Sequence, residues 1–455
     1  MTRNYLRQGF FVFLIAALTL AGTELVVEGV SSMTHAEESS DGGISQTGPP
    51  ADTQSGTKES LESPDMPATI INRRPAVPLR RFFQALQSLR LSPERSQVRV
   101  AYFGDSMIEG DLVSQTLRHN MQKLFGGEGV GYVPATSSLW GFRKTIKHRF
   151  NESQWSTYNV LGEKPTGFEF GISGELFLTK GWSPWITFSG TDAYPETSQL
   201  HQARLFYGPP AQKNAYLLVD AAGREDTTWL SGKALVNSVV LADSCGETLG
   251  IKVVAGSDFP VYGVSMESPN GLIIDNFGMR SSAGSQLSKI NEESLALFQD
   301  ELKYNLVILQ FGLNLVSAER TDYSRYETSL TSIVAAFKTA MPGADILIVS
   351  VGDKCTRQHG HWQTDPSVPH IIASQQRVAK QTDVGFLNLF EQMGGPNAMV
   401  QWVNSTPSLA RRDYAHPTRK GAEKVAGILY RYLLDGYQTY TGEENLYASQ
   451  SASPP

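Results

Sequence analysis

Three residues of this sequence carry the side chains of a nucleophile, a base and an acid. Ser106 ends the run VAYFGDS, and the segment DYAH places Asp413 three residues before His416. A serine hydroxyl is a weak nucleophile that needs a base beside it, and a histidine base is oriented by an acid. One turn of backbone can bring the Asp413 carboxylate to the His416 imidazole. The three residues together indicate nucleophilic catalysis, whereas each alone reads as a helix cap (Ser106) or a surface histidine (His416).

Asn314 could assist the same reaction. It follows the apolar run LVILQF and the pair Gly312-Leu313, so it should lie at the tip of a strand. An asparagine amide at that position can donate a hydrogen bond to a developing oxyanion, and such donors are worth roughly 3 to 4 kcal/mol in comparable sites. The alternative is an asparagine that only caps a turn.

The elements expected to position these residues alternate along the chain. Apolar runs predict four buried strands, at 98–104, 304–312, 344–352 and 384–390. Apolar residues at helical spacing predict helices at 79–91, 111–125, 286–303, 323–341, 366–381 and about 418–437. Strands that alternate with helices form a parallel sheet covered on both faces, and ligands bind beyond the carboxyl ends of such strands. Ser106 falls at one of these ends.

Residues 146–265 have a different pattern. Trp, Thr, Tyr, Phe and Gly occur there in short alternating runs with weak helical periodicity, which predicts a β-sandwich module inserted into the α/β domain. Aromatic residues of this region, including Trp155, Trp182 and Trp185, could stack on sugar rings. We expect them more often in the core of the sandwich.

The composition and the N-terminal segment limit the class of protein. The chain has 455 residues and a net charge of −6, and it lacks the basic block that would indicate a nucleic-acid partner. Arg3 and Arg7 precede an apolar run at 9–22, so residues 1–36 are predicted to be a secretory signal peptide or an uncleaved membrane anchor. Residues 37–78 are rich in Ser, Gly, Pro and acidic side chains, which predicts a disordered linker.

The cysteines and two neighbouring histidines add little chemistry. Cys245 and Cys355 make no disulfide framework and are predicted to be free, buried thiols in different domains. His359 and His361 lack further ligands at metal-binding spacing, so a polar loop is predicted there. We expect no metal and no cofactor.

Three motifs of this sequence, FGDS, GLN and DYAH, resemble conserved blocks of the SGNH (GDSL-type) hydrolase family. They resemble them both in their order along the chain and in their positions relative to the predicted strands. The resemblance implies an α/β, flavodoxin-like three-layer sandwich with a parallel sheet. It implies Ser106 as the nucleophile and, through its backbone N–H, as one oxyanion donor. It implies Asn314 as another donor and Asp413 with His416 as the rest of the triad. Asp105 is interpreted as structural, accepting hydrogen bonds from backbone donors near the turn.

The second block of the family departs from its usual pattern here. The segment DNFGMRSSAG resembles that block, but Ser281 stands where the family has its oxyanion glycine. A serine N–H can also donate, although glycine adopts positive φ and admits substrate more easily. Gly284 is the alternative donor if the loop is shifted.

Two longer segments narrow the resemblance. GDSMIEGDLVSQTLRHNMQKLFGGEGVGYV and FLNLFEQMGGPNAMVQWV are similar to bacterial peptidoglycan O-acetylesterases, which are exported and carry a carbohydrate-binding-like β-sandwich between the first and second blocks. On this basis we expect an SGNH domain in two parts, at 79–145 and 266–440. The inserted module would occupy 146–265 between them, and a tail would follow at 441–455.

The resemblance implies a serine carbohydrate O-acetylesterase of the periplasm or cell envelope. Its substrate would be an acetylated cell-wall or extracellular polysaccharide, with peptidoglycan favoured. Two alternatives remain open at this stage: a polysaccharide O-acetyltransferase with the same triad, and a non-catalytic glycan-binding protein with a relic SGNH fold.

Overall fold

The computed structural model describes residues 79–181 and 183–443. The segments predicted as signal peptide or anchor and as linker lie outside the described residues, as do Trp182 and residues 444–455 of the predicted tail. None of the described helices is long and apolar enough to cross a membrane.

The described part of the chain contains both strands and helices, numbered here in chain order. The strands are β1 (Gln97–Gly104), β2 (Gly129–Pro134), β3 (Lys147–Phe150), β4 (Trp155–Asn159), β5 (Glu175–Lys180), β6 (Trp185–Ser189), β7 (Gln202–Tyr207), β8 (Tyr216–Ala221), β9 (Arg224–Trp229), β10 (Asn237–Ala242), β11 (Thr248–Val254), β12 (Ser257–Glu267), β13 (Gly271–Gly278), β14 (Tyr304–Gln310), β15 (Asp345–Val349), β16 (Cys355–Gln358), β17 (His361–Thr364) and β18 (Gly385–Leu387). The α-helices are α1 (Arg80–Leu91), α2 (Ser114–Phe125), α3 (Glu292–Leu302), α4 (Ser324–Ala340), α5 (Val368–Gln381), α6 (Leu389–Met393), α7 (Ala398–Asn404) and α8 (Arg419–Thr441). Short 3₁₀ turns occur at Glu109–Asp111, Glu152–Gln154, Pro195–Thr197, Ser285–Lys289 and Leu313–Leu315.

One sheet is parallel and carries the predicted α/β domain. Its strands lie in the order β13-β1-β14-β15-β18. In chain order within the sheet this is 2-1-3-4-5, the order of flavodoxin-like folds. β1 and β14 are buried along almost their whole length, as expected for strands covered on both faces. The predicted α/β fold class is therefore confirmed.

Two groups of helices cover this sheet. Helices α1, α2 and α8 pack against one another, and α4 contacts both α3 and α5. Each long helix turns an apolar stripe inward; in α8 the buried residues include Val425, Leu429 and Leu433. The predicted helices match these elements to within a few residues, except that α3 begins at Glu292 rather than at 286, where a 3₁₀ turn lies instead.

The fifth parallel strand, β13, is absent from the strands predicted by sequence. Its segment GLIIDNFG is apolar in its first half only, and it follows β12 after a short turn. Its burial comes from pairing with β1, where Phe277 lies opposite Phe103 and Gly278 opposite Gly104. Because that pairing is long-range, local sequence pattern does not reveal it.

The remaining large sheets are antiparallel and enclose a second core. One has the order β10-β7-β12-β5-β4, with β2 also pairing with β12, and the other has the order β3-β6-β11-β8-β9. Apolar residues of both sheets meet between them, among them Phe177, Phe188 and Leu249. This is the inserted sheet module, and one of its strands, β2, lies before residue 146, where the predicted module begins.

A buried ion pair joins the parallel sheet to the module. The guanidinium of Arg99 on β1 donates to Asp275 on β13 at 2.7 Å and to Glu267 on β12. Asp275 also accepts from the Tyr132 backbone N–H at 2.7 Å and from the Tyr304 hydroxyl at 2.6 Å. Because the charges and lone pairs are partnered, this polar group can lie between two apolar cores.

The thiols and the histidine loop can now be placed. Cys245 and Cys355 are free and buried, the first in the core of the module and the second in the α/β core, as predicted. His359 and His361 belong to a two-stranded hairpin, β16–β17, which packs beside the candidate site. Among the described residues, no cluster of three or more His, Cys, Asp or Glu could hold a metal ion.

Candidate active site

Ser106 lies in the tight turn that follows β1. A side chain at Gly104 would come within 2.8 Å of Ile108, so glycine is needed where the turn folds back on the strand. The buried carboxylate of Asp105 accepts the Met107 N–H at 3.0 Å, which fixes the turn around the serine. Burial raises the pKa of Asp105 to about 6, although that N–H lowers it. This geometry agrees with the structural role expected for Asp105.

The structure brings the three predicted catalytic residues together. The Ser106 Oγ lies 2.9 Å from His416 Nε2, and His416 Nδ1 lies 3.0 Å from Asp413 Oδ2. Both distances are hydrogen bonds, and they use opposite nitrogens of one ring. The order hydroxyl, imidazole, carboxylate is the geometry required for a histidine that accepts a serine proton.

The Asp413 carboxylate is held in its ionised form. Its Oδ1 accepts the backbone N–H groups of Ala415 and His416, each at 3.0 Å. Partial burial alone would raise the pKa of Asp413, but these two donors and the His416 ring lower it below its usual value. An ionised Asp413 accepts the Nδ1–H of His416 and so leaves Nε2 free to accept the proton of Ser106.

The loop that carries Asp413 and His416 is supported by an aromatic stack that sequence reasoning missed. The rings of Trp362 on β17 and Tyr414 are nearly parallel, with an interplanar angle of 13° and centroids 4.1 Å apart. The Tyr414 carbonyl also accepts the Cys355 N–H at 2.9 Å. The β16–β17 hairpin therefore holds the residue that lies between the acid and the base.

The predicted oxyanion donors line the cleft that contains the triad. Ser106, Ser281 and Asn314 all contribute to its wall. Among the residues that the structure describes, no protein group accepts the N–H of Ser106 or of Ser281. Asn314 Nδ2 donates to the Ser282 carbonyl at 2.8 Å, which orients the amide and leaves its second hydrogen for a ligand.

The structure distinguishes Ser281 from Gly284. Ser281 has φ +64°, the left-handed conformation that glycine adopts most easily, and it lies in the cleft. Gly284 does not line the cleft, and its N–H donates to the Ser282 hydroxyl at 3.1 Å. Of the two candidates, Ser281 is therefore the one whose N–H is available at the site.

The cleft has a volume of about 630 Å³ and a polar wall with an excess of positive charge. At its mouth, Arg280 pairs with Glu109 at 2.9 Å. Arg411 and Arg419 also line the cleft, and no carboxylate of the described residues lies within 4.0 Å of either guanidinium. The exposed ring of Phe142 completes the rim. Sequence reasoning did not identify these residues because they come from separate segments of the chain.

The chain was compared with known proteins at the levels of sequence and structure. No family model and no curated protein matches its sequence. A solved structure of a peptidoglycan O-acetylesterase does match, with 23% identity over 79% of this chain and 96% of that chain and a TM-score of 0.64. The chain has the fold of an SGNH hydrolase. At this level of identity the likeness establishes the fold alone.

Other solved esterase structures match less well. An acetylxylan esterase from Geobacillus stearothermophilus is 19% identical over 37% of this chain and 73% of that chain, with a TM-score of 0.27. A family two carbohydrate esterase from Cellvibrio japonicus is 7% identical over 65% of this chain and 99% of that chain, with a TM-score of 0.26. Likenesses this weak add nothing to the fold assignment.

Proposed function

We propose that this protein is an exported serine esterase that removes O-acetyl groups from a cell-wall polysaccharide, with peptidoglycan as the substrate. The observation that carries the proposal is the continuous hydrogen-bonded chain from the Ser106 hydroxyl through His416 to Asp413. It opens into a cleft that also contains three candidate oxyanion donors, so one site holds a nucleophile, a base and a place for the developing charge.

The reaction follows the course of acyl transfer through a covalent intermediate. His416 takes the proton of Ser106 as the hydroxyl oxygen attacks the acetyl carbonyl. The N–H groups of Ser106 and Ser281 and the Asn314 amide stabilise the oxyanion. His416 then protonates the departing sugar hydroxyl, and a water molecule, activated by the same ring, releases acetate from the serine. Asp413 holds the ring and stabilises its charged form.

Two observations support a cell-wall glycan over a neutral polysaccharide. A solved structure that matches over 96% of its own length, with a TM-score of 0.64, is a peptidoglycan O-acetylesterase. In addition, Arg411 and Arg419 lie in the cleft without acidic partners among the described residues, and a guanidinium binds carboxylates well. Peptidoglycan carries carboxyl groups on its muramic acid units and peptide stems, so its strands would complement these arginines.

Export is proposed from the N-terminal sequence. Two arginines precede a short apolar run in residues 1–36, and a polar segment follows, which is the arrangement of a secretory signal. A polymer that lies outside the cytoplasm requires an enzyme that reaches it there. We therefore place the protein in the periplasm or cell envelope.

The test measures acetate release by the purified full-length protein. O-acetylated peptidoglycan, acetylated xylan and p-nitrophenyl acetate are offered to the parent and to Ser106→Ala. Release by the parent, its loss in Ser106→Ala and a preference for peptidoglycan are the expected results. Acetyl transfer to added glycan in place of release would indicate a transferase, and glycan binding without any acetyl chemistry would contradict the esterase.

A further inference from the structure

A second cavity, here called the side cavity, opens next to the catalytic cleft. It has a volume of about 210 Å³ and shares Glu109, Gly110, Leu139 and Arg280 with the wall of the cleft. The two spaces are therefore neighbours across one set of residues. Together they fall within the range of about 300 to 1,000 Å³ that is usual for ligand sites.

The wall of the side cavity contains a buried hydroxyl that no protein group binds in good hydrogen-bond geometry. Ser173 is only 6% exposed, and its Oγ has no partner within hydrogen-bond distance and angle. The Glu175 carboxyl and the Tyr132 phenol lie near this Oγ, which lowers the pKa of each against the larger effect of burial, but neither reaches that geometry. A buried polar group without a partner costs stability, so a ligand that supplies the missing bonds gains by binding here.

The charges around the side cavity cancel in pairs. Glu109 pairs with Arg280 at 2.9 Å. Asp111 pairs with Arg143 of the wall at 3.4 Å and with Arg118, which does not line the cavity, at 2.8 Å. The charged groups of the wall itself are therefore two carboxylates and two guanidiniums, and the wall presents no net charge to an ionic group. An ion placed there would lose its hydration without gaining a partner.

The two other ionisable groups of the wall are uncharged near neutral pH. Burial, reinforced by the nearby Glu109 carboxylate, raises the pKa of Glu175 to about 8. Burial lowers the pKa of His148 to about 4, and its Nε2 bonds the Ala135 carbonyl at 3.1 Å. A protonated carboxyl both donates and accepts, which suits a hydroxyl group of a ligand.

An aromatic surface borders the same cavity. Trp140 is 55% exposed and lines the side cavity. An indole offers a flat apolar face, and polar groups lie beside it in this cavity. A sugar ring can pack its C–H face on the indole while its hydroxyl groups bind those polar groups.

We propose that the side cavity binds one uncharged sugar ring of the polysaccharide, next to the ring whose acetyl ester lies over Ser106. Ser173 and Glu175 bind hydroxyl or acetamido groups of that ring, and Trp140 covers its face. The inference rests on the proposed esterase function. It also gives the substrate a pattern: a neutral ring at the side cavity, and an acid-bearing ring within reach of Arg411 and Arg419 in the cleft.

The kinetic test compares a substrate that reaches the side cavity with one that does not. For each protein, kcat/KM is measured with an O-acetylated disaccharide of peptidoglycan and with p-nitrophenyl acetate, and the ratio of the two is taken. In Ser173→Ala and in Glu175→Met we expect this ratio to fall roughly three- to tenfold, mainly through KM, because each change removes a side-chain group that hydrogen-bonds to the ring. A ratio equal to that of the parent in both variants overturns the proposal.

The matched control is Tyr437→Phe, which removes another buried hydroxyl that no group binds in good hydrogen-bond geometry; it lies near Arg90, on α8 and outside both cavities. Its ratio should equal that of the parent. Ser173→Ala should melt no lower than the parent, since the lost hydroxyl makes no bond in the protein. Glu175→Met keeps roughly the size of the side chain and removes its donor and acceptor, so the test stands even if one variant folds poorly.

A binding experiment separates the failure of this inference from the failure of the esterase. Ser106→Ala is titrated with the neutral oligomer chitotetraose, with and without Ser173→Ala in the same chain. Weaker binding in the double variant supports the side cavity, even if the parent releases no acetate. Equal binding in the two, or stronger binding of oligogalacturonate, an anionic oligomer, than of chitotetraose, overturns it.

Discussion

Ser106 and His416, the two partners of the central hydrogen bond, are held by loops of opposite character. Ser106 follows a strand in the middle of the parallel sheet, and the acid beside it, Asp105, is buried. His416 lies in a surface loop, and the side chain of its partner Asp413 is 46% exposed. The pKa of Asp105 is raised by burial, whereas the pKa of Asp413 is lowered by the donors around it.

The difference shows what each side of the site depends on. The nucleophile is positioned by the core, so the turn around it tolerates a buried acid at a cost in stability. The base is positioned by a few contacts at the surface, namely the two N–H groups that bind Asp413 and the Trp362–Tyr414 stack. Changes in the buried turn around Ser106 should therefore affect stability, and changes in the contacts around His416 should affect turnover.

The largest effect on turnover is expected for Asp413→Asn. An amide at this position would present its NH₂ or its oxygen to His416 and would no longer fix the Nδ1–H tautomer or stabilise the charged ring. We expect kcat to fall on the order of 10⁴-fold. The control is Asp226→Asn, an exposed change on β9 of the module. If Asp413→Asn kept more than a tenth of the parent's kcat, Asp413 would not be the acid of the triad.

Trp362→Ala tests the contacts that position His416, and its expected effect on the rate is smaller than that of Asp413→Asn. Loss of the stack frees Tyr414 and lets Asp413 and His416 shift, and a displacement of about 1 Å can cost about 100-fold in rate. We expect kcat/KM to fall roughly 10- to 100-fold with a shifted pH–rate profile, and Trp362→Phe to recover most of the loss. A residue with a purely structural role would lower the melting temperature and leave the pH profile in place.

The matched control is Trp229→Ala, which breaks another aromatic contact, with Tyr216, in the module. Its pH–rate profile should be that of the parent. A shift in the Trp229→Ala profile equal to that of Trp362→Ala would contradict the specific role of the stack.

On the nucleophile side, Asp105→Asn is expected to change stability. The pKa of Asp105 is raised to about 6, so the folded state holds a proton that the unfolded chain releases from about pH 4 upwards. The parent therefore loses stability between about pH 4 and 6, by about 3 kcal/mol for this shift. The amide introduced by the substitution has no proton to lose, and its oxygen can still accept the Met107 N–H. The melting temperatures of Asp105→Asn and the parent are measured across and above this pH range. The variant should exceed the parent by almost nothing at pH 4 and by a constant amount above pH 7. A gain that does not depend on pH would contradict the raised pKa.

Local pattern explains which parts of the fold could be predicted from sequence. β1, β14 and β15 are apolar runs because both of their faces are buried, and the triad residues lie in short motifs whose spacing fixes their geometry. β13 was missed because its polar half is buried through long-range contacts, including its pairing with β1 and the hydrogen bonds of Asp275. The Trp362–Tyr414 stack and the side cavity were missed for the same physical reason: they join segments that are distant in sequence, and no local signal marks such contacts.

Ser281→Gly is expected to have the smallest effect, and it tests the one site residue that departs from the family pattern. The left-handed φ of +64° strains a serine by about 1 kcal/mol, which glycine would relieve. Glycine also makes the unfolded chain more flexible by a similar amount, so stability should change by less than about 1 kcal/mol. Because the proposed donor is the backbone N–H, kcat should stay within about twofold of the parent.

The neighbouring change Ser282→Gly is the control for this prediction. The Ser282 hydroxyl accepts the Gly284 N–H at 3.1 Å, and its carbonyl accepts the Asn314 amide at 2.8 Å. Removing that side chain should loosen the loop and lower both stability and kcat. A tenfold loss of kcat in Ser281→Gly would show that the Ser281 hydroxyl, and not only its N–H, contacts the oxyanion. The serine at this position would then contribute to catalysis through its side chain.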